Sequence, residues 1–203
     1  MKEYKIKEHE HRRNRVYRIA TKTLFQKGYD KTTIRDIAKA TEMTTAGLYY
    51  YFKSKEDLLF QILNNHMDDV LAGLEKIPLD TSPSELIKRY IYYQVSGYCN
   101  DRYRFKLLLN DDDCLTGDWY KQIKKKQRKS LSYWRNALER YCQEKGLSTD
   151  HIAIDAHCLM GMCNWIYRWY DPKGEISPEA LSLKIYETFL LGLGNKGKLS
   201  SME

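Results

Sequence analysis

Between residues 33 and 55, hydroxyl, phenol and ammonium groups recur beside small residues: Thr33, Thr44, Thr45, Gly47, Tyr49, Tyr50 and Lys55. Hydroxyls, backbone N–H groups at helix starts and cations are the donors that grip phosphodiester oxygens. Small residues at the start of a short helix let its backbone approach base edges. The run Tyr49-Tyr50-Tyr51 adds a constraint, because consecutive helical residues lie ~100° apart and three cannot all face one core. At least one phenol must be exposed. Lys55 falls at a helix start, where the dipole disfavours a cation and a bound phosphate would compensate.

Charge gathers around these residues. Residues 1–55 hold 14 Lys/Arg against 6 Asp/Glu, whereas the rest of the chain holds 20 against 21, so the net +7 resides in the first quarter. Localised positive charge is what a phosphate-binding module needs, since counterion release drives non-specific nucleic-acid binding.

Other chemistries find less support. His157 and Cys158 are adjacent, so on a helix they diverge by ~100° and cannot form a nucleophile–base pair. Asp111-Asp112-Asp113 reads as a solvated acidic loop. There is no Gly-rich phosphate loop and no metal-spaced cluster, so no catalytic residue, metal or cofactor is expected. Five cysteines (Cys99, Cys114, Cys142, Cys158, Cys163) without a CxxC pair suggest free thiols in a reducing compartment. No apolar run reaches the ~18–20 residues that span a bilayer, and the N-terminus is charged. The expected compartment is the cytoplasm, without membrane association.

The elements that must position these groups are all helices. Residues 9–27 carry Tyr17, Ala20, Leu24 and Phe25 on one side and arginines on the other, with Gly28 as the stop. Thr33 with Asp36 opens a short helix to about Thr41, Thr44 caps another towards Tyr51, and Ser54 with Asp57 starts a longer one. The stretch Lys76 to Ser84 is the linker. Further helices are expected at about 83–99, 102–110, 117–145, 150–170 and 177–193, with a polar tail after that. Two short helices joined by a tight turn and followed by a third make a helix-turn-helix. Ile34, Ile37, Ala38, Met43, Leu48 and Phe52 supply its packed faces, which leaves Thr45, Ala46, Gly47, Tyr49 and Tyr50 outward.

The sequence resembles the TetR family of bacterial repressors over about residues 10–60, through Phe25-x-x-Gly28-Tyr29, Thr33-Ile34-x-x-Ile37-Ala38, Thr44-x-x-Gly47-Leu48-Tyr49-x-x-Phe52 and Lys55-Glu56-x-Leu58. The resemblance implies an all-α chain: an N-terminal three-helix DNA-binding domain (1–55), a connecting helix (56–75) and a larger helical effector-binding and dimerisation domain (76–203). It makes residues 44–51 the recognition helix. Thr45, Gly47 and Tyr50 would face bases, Thr33, Tyr49 and Lys55 would contact backbone phosphates, and Thr44 and Arg35 complete the expected DNA-binding set. It also implies a homodimer through the last two helices, repressing at a palindromic operator until a small molecule binds. Two departures stand out. Glu42 occupies the turn where members usually have glycine, and Tyr50-Tyr51 replaces a pair that often contains histidine.

Beyond residue 75 the resemblance fades. Residues 152–167 are apolar nearly all round, which suggests burial against both the domain core and a partner subunit. Leu181, Ile185, Phe189 and Leu193 recur at four-residue steps for the same purpose. Candidate effector-lining residues are Tyr103, Phe105, Trp119, Trp134, His157, Met160, Met162, Trp165 and Trp169, a set suited to an apolar ligand. The segment Asn164-Trp165-x-x-x-Trp169-Tyr170-x-Pro172-x-Gly174 resembles a subgroup that answers acyl-CoA thioesters and related lipids, and the basic run Lys124–Lys129 could hold CoA phosphates or form a solvated or DNA-neighbouring face. Control by a protein partner instead of a small molecule is the alternative.

Overall fold

The computed structural model describes residues 2–194; the polar tail expected beyond them lies outside the described residues. Among the described residues the regular elements are all helical: α1 (Lys2–Lys27), α2 (Ile34–Thr41), α3 (Thr45–Leu48), α4 (Lys55–Glu75), α5 (Pro83–Asn100), α6 (Arg102–Asn110), α7 (Gly117–Lys145), α8 (Ile152–Trp165) and α9 (Pro178–Gly194), with single 3-10 turns at Asp112–Cys114 and Ile166–Arg168.

Local chemistry sets the boundaries. Gly28 takes φ +83°, which only glycine adopts freely, and ends α1 with its N–H on the Leu24 carbonyl at 2.8 Å. Ser54 accepts from the Asp57 N–H at 3.0 Å to open α4, and Ser82 accepts from Glu85 N–H ahead of Pro83 to open α5. The chain then groups into two compact units that do not follow its order. One holds residues up to Met67 together with Tyr103–Lys124, and the other holds Asp68–Arg102 and Lys125 onward.

The first unit has a core of Leu24, Ile37, Leu48, Phe52, Leu58 and Leu63, joined by Leu107, Leu115 and Ile123 from the returning segment. That segment is also held by Tyr103 edge-on to Phe25 at 4.8 Å and by the Glu56 carboxylate, which accepts from both the N–H and hydroxyl of Thr116 at 2.8 Å. Residues 103–124 therefore pack with the N-terminal helices, although sequence order alone assigns them to the second domain. Such long-range pairing leaves no trace in local periodicity.

In the second unit α9 packs along α5. Leu181, Ile185 and Leu193 are buried in this packing and Phe189 is half-buried. Of the two burials expected of this stripe, against the domain core and against a partner subunit, the structure shows the first, because a four-residue apolar period marks a buried face without saying what buries it. α8 turns Ala156, Leu159 and Cys163 inward and Ile154, Cys158, Gly161 and Trp165 outward. Three of the five cations in the basic run on α7 pair within the fold: Lys124 with Asp112 at 2.8 Å, Lys126 with Asp68 at 2.5 Å and Lys129 with Glu75 at 2.7 Å. Among the described residues no helix is long and apolar enough to cross a membrane.

Candidate nucleic-acid interface

α2 begins with a reciprocal cap. Thr33 Oγ1 accepts from Asp36 N–H at 3.2 Å and donates to Asp36 Oδ2 at 2.8 Å, while the Thr33 N–H donates to the same carboxylate at 2.9 Å. The Lys27 ammonium, and after it the Thr33 donors, hold the Asp36 carboxyl well below the usual carboxylate range. Thr33 thus has its hydroxyl proton committed inside the protein. Thr44 differs: its Oγ1 accepts from Gly47 N–H at 3.0 Å, leaving its own O–H to donate outward. Arg35, in the first turn of α2, is exposed.

α3 is a single turn fastened by one buried side chain, Leu48. Thr45 and Ala46 are exposed, and so are Tyr49 (53% accessible) and Tyr50 (72%), whereas Tyr51 is half-buried. α3 ends at Leu48 and not at the expected Tyr51, so the three tyrosines lie in the turn beyond it, two outward and one partly inward. Gly47 is half-buried, and a Cβ there would come within 3.2 Å of Thr44 Oγ1 and 3.4 Å of the Met43 methyl. Its smallness keeps the cap closed in addition to thinning the outer face.

Behind α3 runs a polar network whose long-range partners no local motif announces. Asp57, buried at the start of α4, accepts from Lys53 N–H at 2.7 Å and from Gln61 Nε2 at 2.9 Å. Gln61 Oε1 in turn accepts from Arg13 at 3.1 Å and from the Tyr17 hydroxyl, which also lies 3.1 Å from the Tyr51 carbonyl. α1, α4 and the end of the reading segment are tied at one point. The partners are 34 to 48 residues apart, beyond any motif spacing.

Two matches cover most of the chain. Residues 18–62 match the model described as bacterial regulatory proteins of the tetR family, and residues 80–193 match the tetracyclin repressor-like C-terminal domain. The chain belongs to the TetR family. It is 30% identical to a TetR-family transcriptional regulator from Bordetella parapertussis, whose crystal structure superposes with a TM-score of 0.83 over 88% of this chain and 93% of that one. It is 26% identical to the transcriptional repressor KstR2 of Mycolicibacterium smegmatis over 188 residues, 89% of each protein. It is also 26% identical to AibR, crystallised with isovaleryl coenzyme A and operator DNA, with a TM-score of 0.76 over 87% of this chain and 97% of AibR. As a TetR-family member it is a helix-turn-helix transcriptional regulator, within an all-α fold.

Against the family's glycine, Glu42 takes φ 59° and ψ 37°, with its N–H on the Ala38 and Lys39 carbonyls. A side chain in this left-handed region costs on the order of 1 kcal/mol. Glu42→Gly is therefore expected to raise unfolding stability by about 1 kcal/mol, read as a higher urea midpoint at unchanged m-value.

Lys55 lies differently from a residue held ready for phosphate alone. Its ammonium donates to the Tyr29 carbonyl at 2.9 Å and sits 4.1 Å from the Tyr29 ring centroid. These contacts offset the helix-start penalty without any ligand, although an ammonium has three N–H donors and the carbonyl uses one. Burial, followed by the Glu56 charge, pushes the Tyr29 phenol up to about 12, so the ring beneath Lys55 stays neutral at ordinary pH. Lys55→Ala is expected to cost about 1–2 kcal/mol of stability in the absence of DNA, measured by urea denaturation.

The candidate effector residues fall into separate places. Tyr103, Phe105 and Trp119 belong to the first unit, on Phe25, His66 and Phe60 respectively, the last pair stacked at 5.4 Å. In the second unit Trp134 is 1% accessible against Tyr90 at 5.7 Å, and its indole N–H has no hydrogen-bond partner among the described residues. His157, Trp165 and Trp169 are exposed on or after α8, and Met160 and Met162 are half-buried. Within the second unit, only Trp134 of this set is fully buried.

Proposed function

We propose that the protein represses transcription as a homodimer on a palindromic operator and is released by a small molecule bound in the second unit. The observation that carries the DNA-binding reading is α3: Leu48 locks one side, while Thr45, Tyr49 and Tyr50 face outward from the most basic quarter of the chain. In this reading Thr45 and Tyr50 meet base edges across Gly47. Thr44, Arg35, Tyr49 and Lys55 serve the phosphates, and Thr33 shapes the start of α2 before it serves DNA. The exposed stripe Ile154, Cys158, Gly161 and Trp165 of α8, with Leu183 and Leu191 of α9, is the apolar surface that a second copy would cover.

The unpartnered Trp134 N–H, a donor only, supports an effector that brings a hydrogen-bond acceptor among apolar groups, as an acyl thioester carbonyl does. Similarity to AibR, with its isovaleryl coenzyme A complex, points to the same ligand class. Release requires the effector to prefer the non-binding state, since equal affinity for both states shifts nothing. Function at an operator places the protein in the cytoplasm.

Footprinting across the protein's own genome tests the first half of this reading. A discrete two-fold symmetric protected site supports it, and uniform weak protection sinks it. Mass spectrometry of molecules retained by the native protein tests the second half. A bound thioester supports a small-molecule switch, whereas an empty protein that answers only to a protein partner would overturn it.

A further inference from the structure

A cleft of about 360 Å3 opens between α1 and the turn joining α2 to α3, walled by Arg12, Arg15, Ile19, Glu42, Met43 and Tyr51. Its apolar wall includes Val16, which is 4% accessible, and its charged groups reach solvent. Arg12 is held by Glu8, one helical turn away, at 2.9 Å. Arg15 and Glu42 are both exposed, and neither has an ion-pair partner among the described residues. Arg18 and Lys22 extend the exposed basic surface along α1. The cleft adjoins the reading segment at both ends, since Glu42 and Met43 lead into Thr44 while Tyr51 follows Tyr49 and Tyr50.

We propose that this cleft is a second DNA-contact site, in which Arg12 and Arg15 take a backbone phosphate beside the reading segment and Glu42 opposes it as a counter-charge. The proposal rests on the reading of α3 as the DNA-facing segment. Charge complementarity selects the occupant: two guanidiniums on a strongly basic head, next to the residues that would meet the bases, face whatever anion that head brings close. Guanidinium suits the site because its planar fork binds phosphate oxygens in pairs. Glu42 sets a limit on this attraction. Its carboxylate shares the cleft with both arginines, so it weakens grip on every duplex and leaves discrimination to α3.

The test uses the full chain and a 30-base-pair duplex of mixed sequence, with anisotropy titrations across a series of KCl concentrations. The native protein, Arg15→Gln, Arg15→Lys and Glu42→Gln are compared. Arg15→Gln should flatten the plot of log affinity against log salt by about 0.9 per reading head. Arg15→Lys should restore most of the slope. Glu42→Gln, which keeps the left-handed backbone but removes the charge, should raise affinity roughly two- to five-fold. A native salt slope retained by Arg15→Gln, or no gain from Glu42→Gln, overturns the cleft proposal while leaving α3 in place. If the native chain binds no duplex at any salt, the reading of α3 fails and the cleft falls with it.

Discussion

Leu48→Ala is expected to unfasten the reading segment, costing about 2–5 kcal/mol and removing DNA binding in the same step. The reason lies in the length of α3. Its four residues form one turn, and a helix that short has no stability of its own in water. Its hold within the turn comes from the Thr44 cap and from Leu48, which is fully buried in the core that also contains Ile37, Phe52 and Leu58, while Tyr17 ties the chain just beyond it at the Tyr51 carbonyl. The cap contributes about 1 kcal/mol, so the buried side chain is the larger anchor. Truncation leaves a cavity where α3 meets the core, and the segment that must present Thr45 and Tyr49 loses its seat. Urea denaturation by circular dichroism, with duplex binding by anisotropy, measures both effects. A variant that loses less than about 1 kcal/mol and still binds would show that something other than Leu48 holds α3.

Asp57→Ala is the second large effect, expected at about 2–3 kcal/mol together with weakened DNA binding. Its carboxylate satisfies the Lys53 N–H and the Gln61 amide at the start of α4. Alanine leaves both donors without their acceptor in a partly buried place and frees Gln61, which orients Tyr17 against the Tyr51 carbonyl. Tyr17→Phe separates the two consequences. It removes the tie to Tyr51 but keeps the α4 cap, so it should lose less stability while still loosening the reading segment. The measurement is urea midpoint alongside duplex affinity for both variants. If Asp57→Ala proves as stable as the native protein, the network does not set the geometry of the head.

Much of this head is legible in the sequence because its determinants are local. Thr33 and Asp36 form the reciprocal cap that their spacing suggests, Thr44 caps α3, and α6 and α7 occupy the expected 102–110 and 117–145. Capping and helical periodicity act over three or four residues and can be read directly. What escaped depends on distance along the chain. Leu107, Leu115 and Ile123 join the core of the head from a segment 40 or more residues beyond it, and Gln61 links Arg13 to Asp57. The apolar steps of α9 identified a buried face, but whether α5 or a second copy buries it is not written in the period. Trp165 and Trp169 show the same limit in reverse: aromatic content suggested a pocket, and the fold turns both rings outward. Lys55 combines the two cases. Its odd electrostatic position was readable, whereas the Tyr29 carbonyl that answers it, 26 residues earlier, was not.

The central claim is that the outward face of α3 reads DNA sequence, and Tyr50 is its most exposed aromatic residue. Selection of bound duplexes from a randomised pool, carried out in parallel with the native protein and Tyr50→Ala, tests this directly. The native protein should select a two-fold symmetric site, and Tyr50→Ala should change the base preference at matching positions of each half-site. Each altered position should be worth about 1–3 kcal/mol. A Tyr50→Ala profile with the native preference and a uniform loss of affinity would contradict the claim and reduce Tyr50 to a backbone contact.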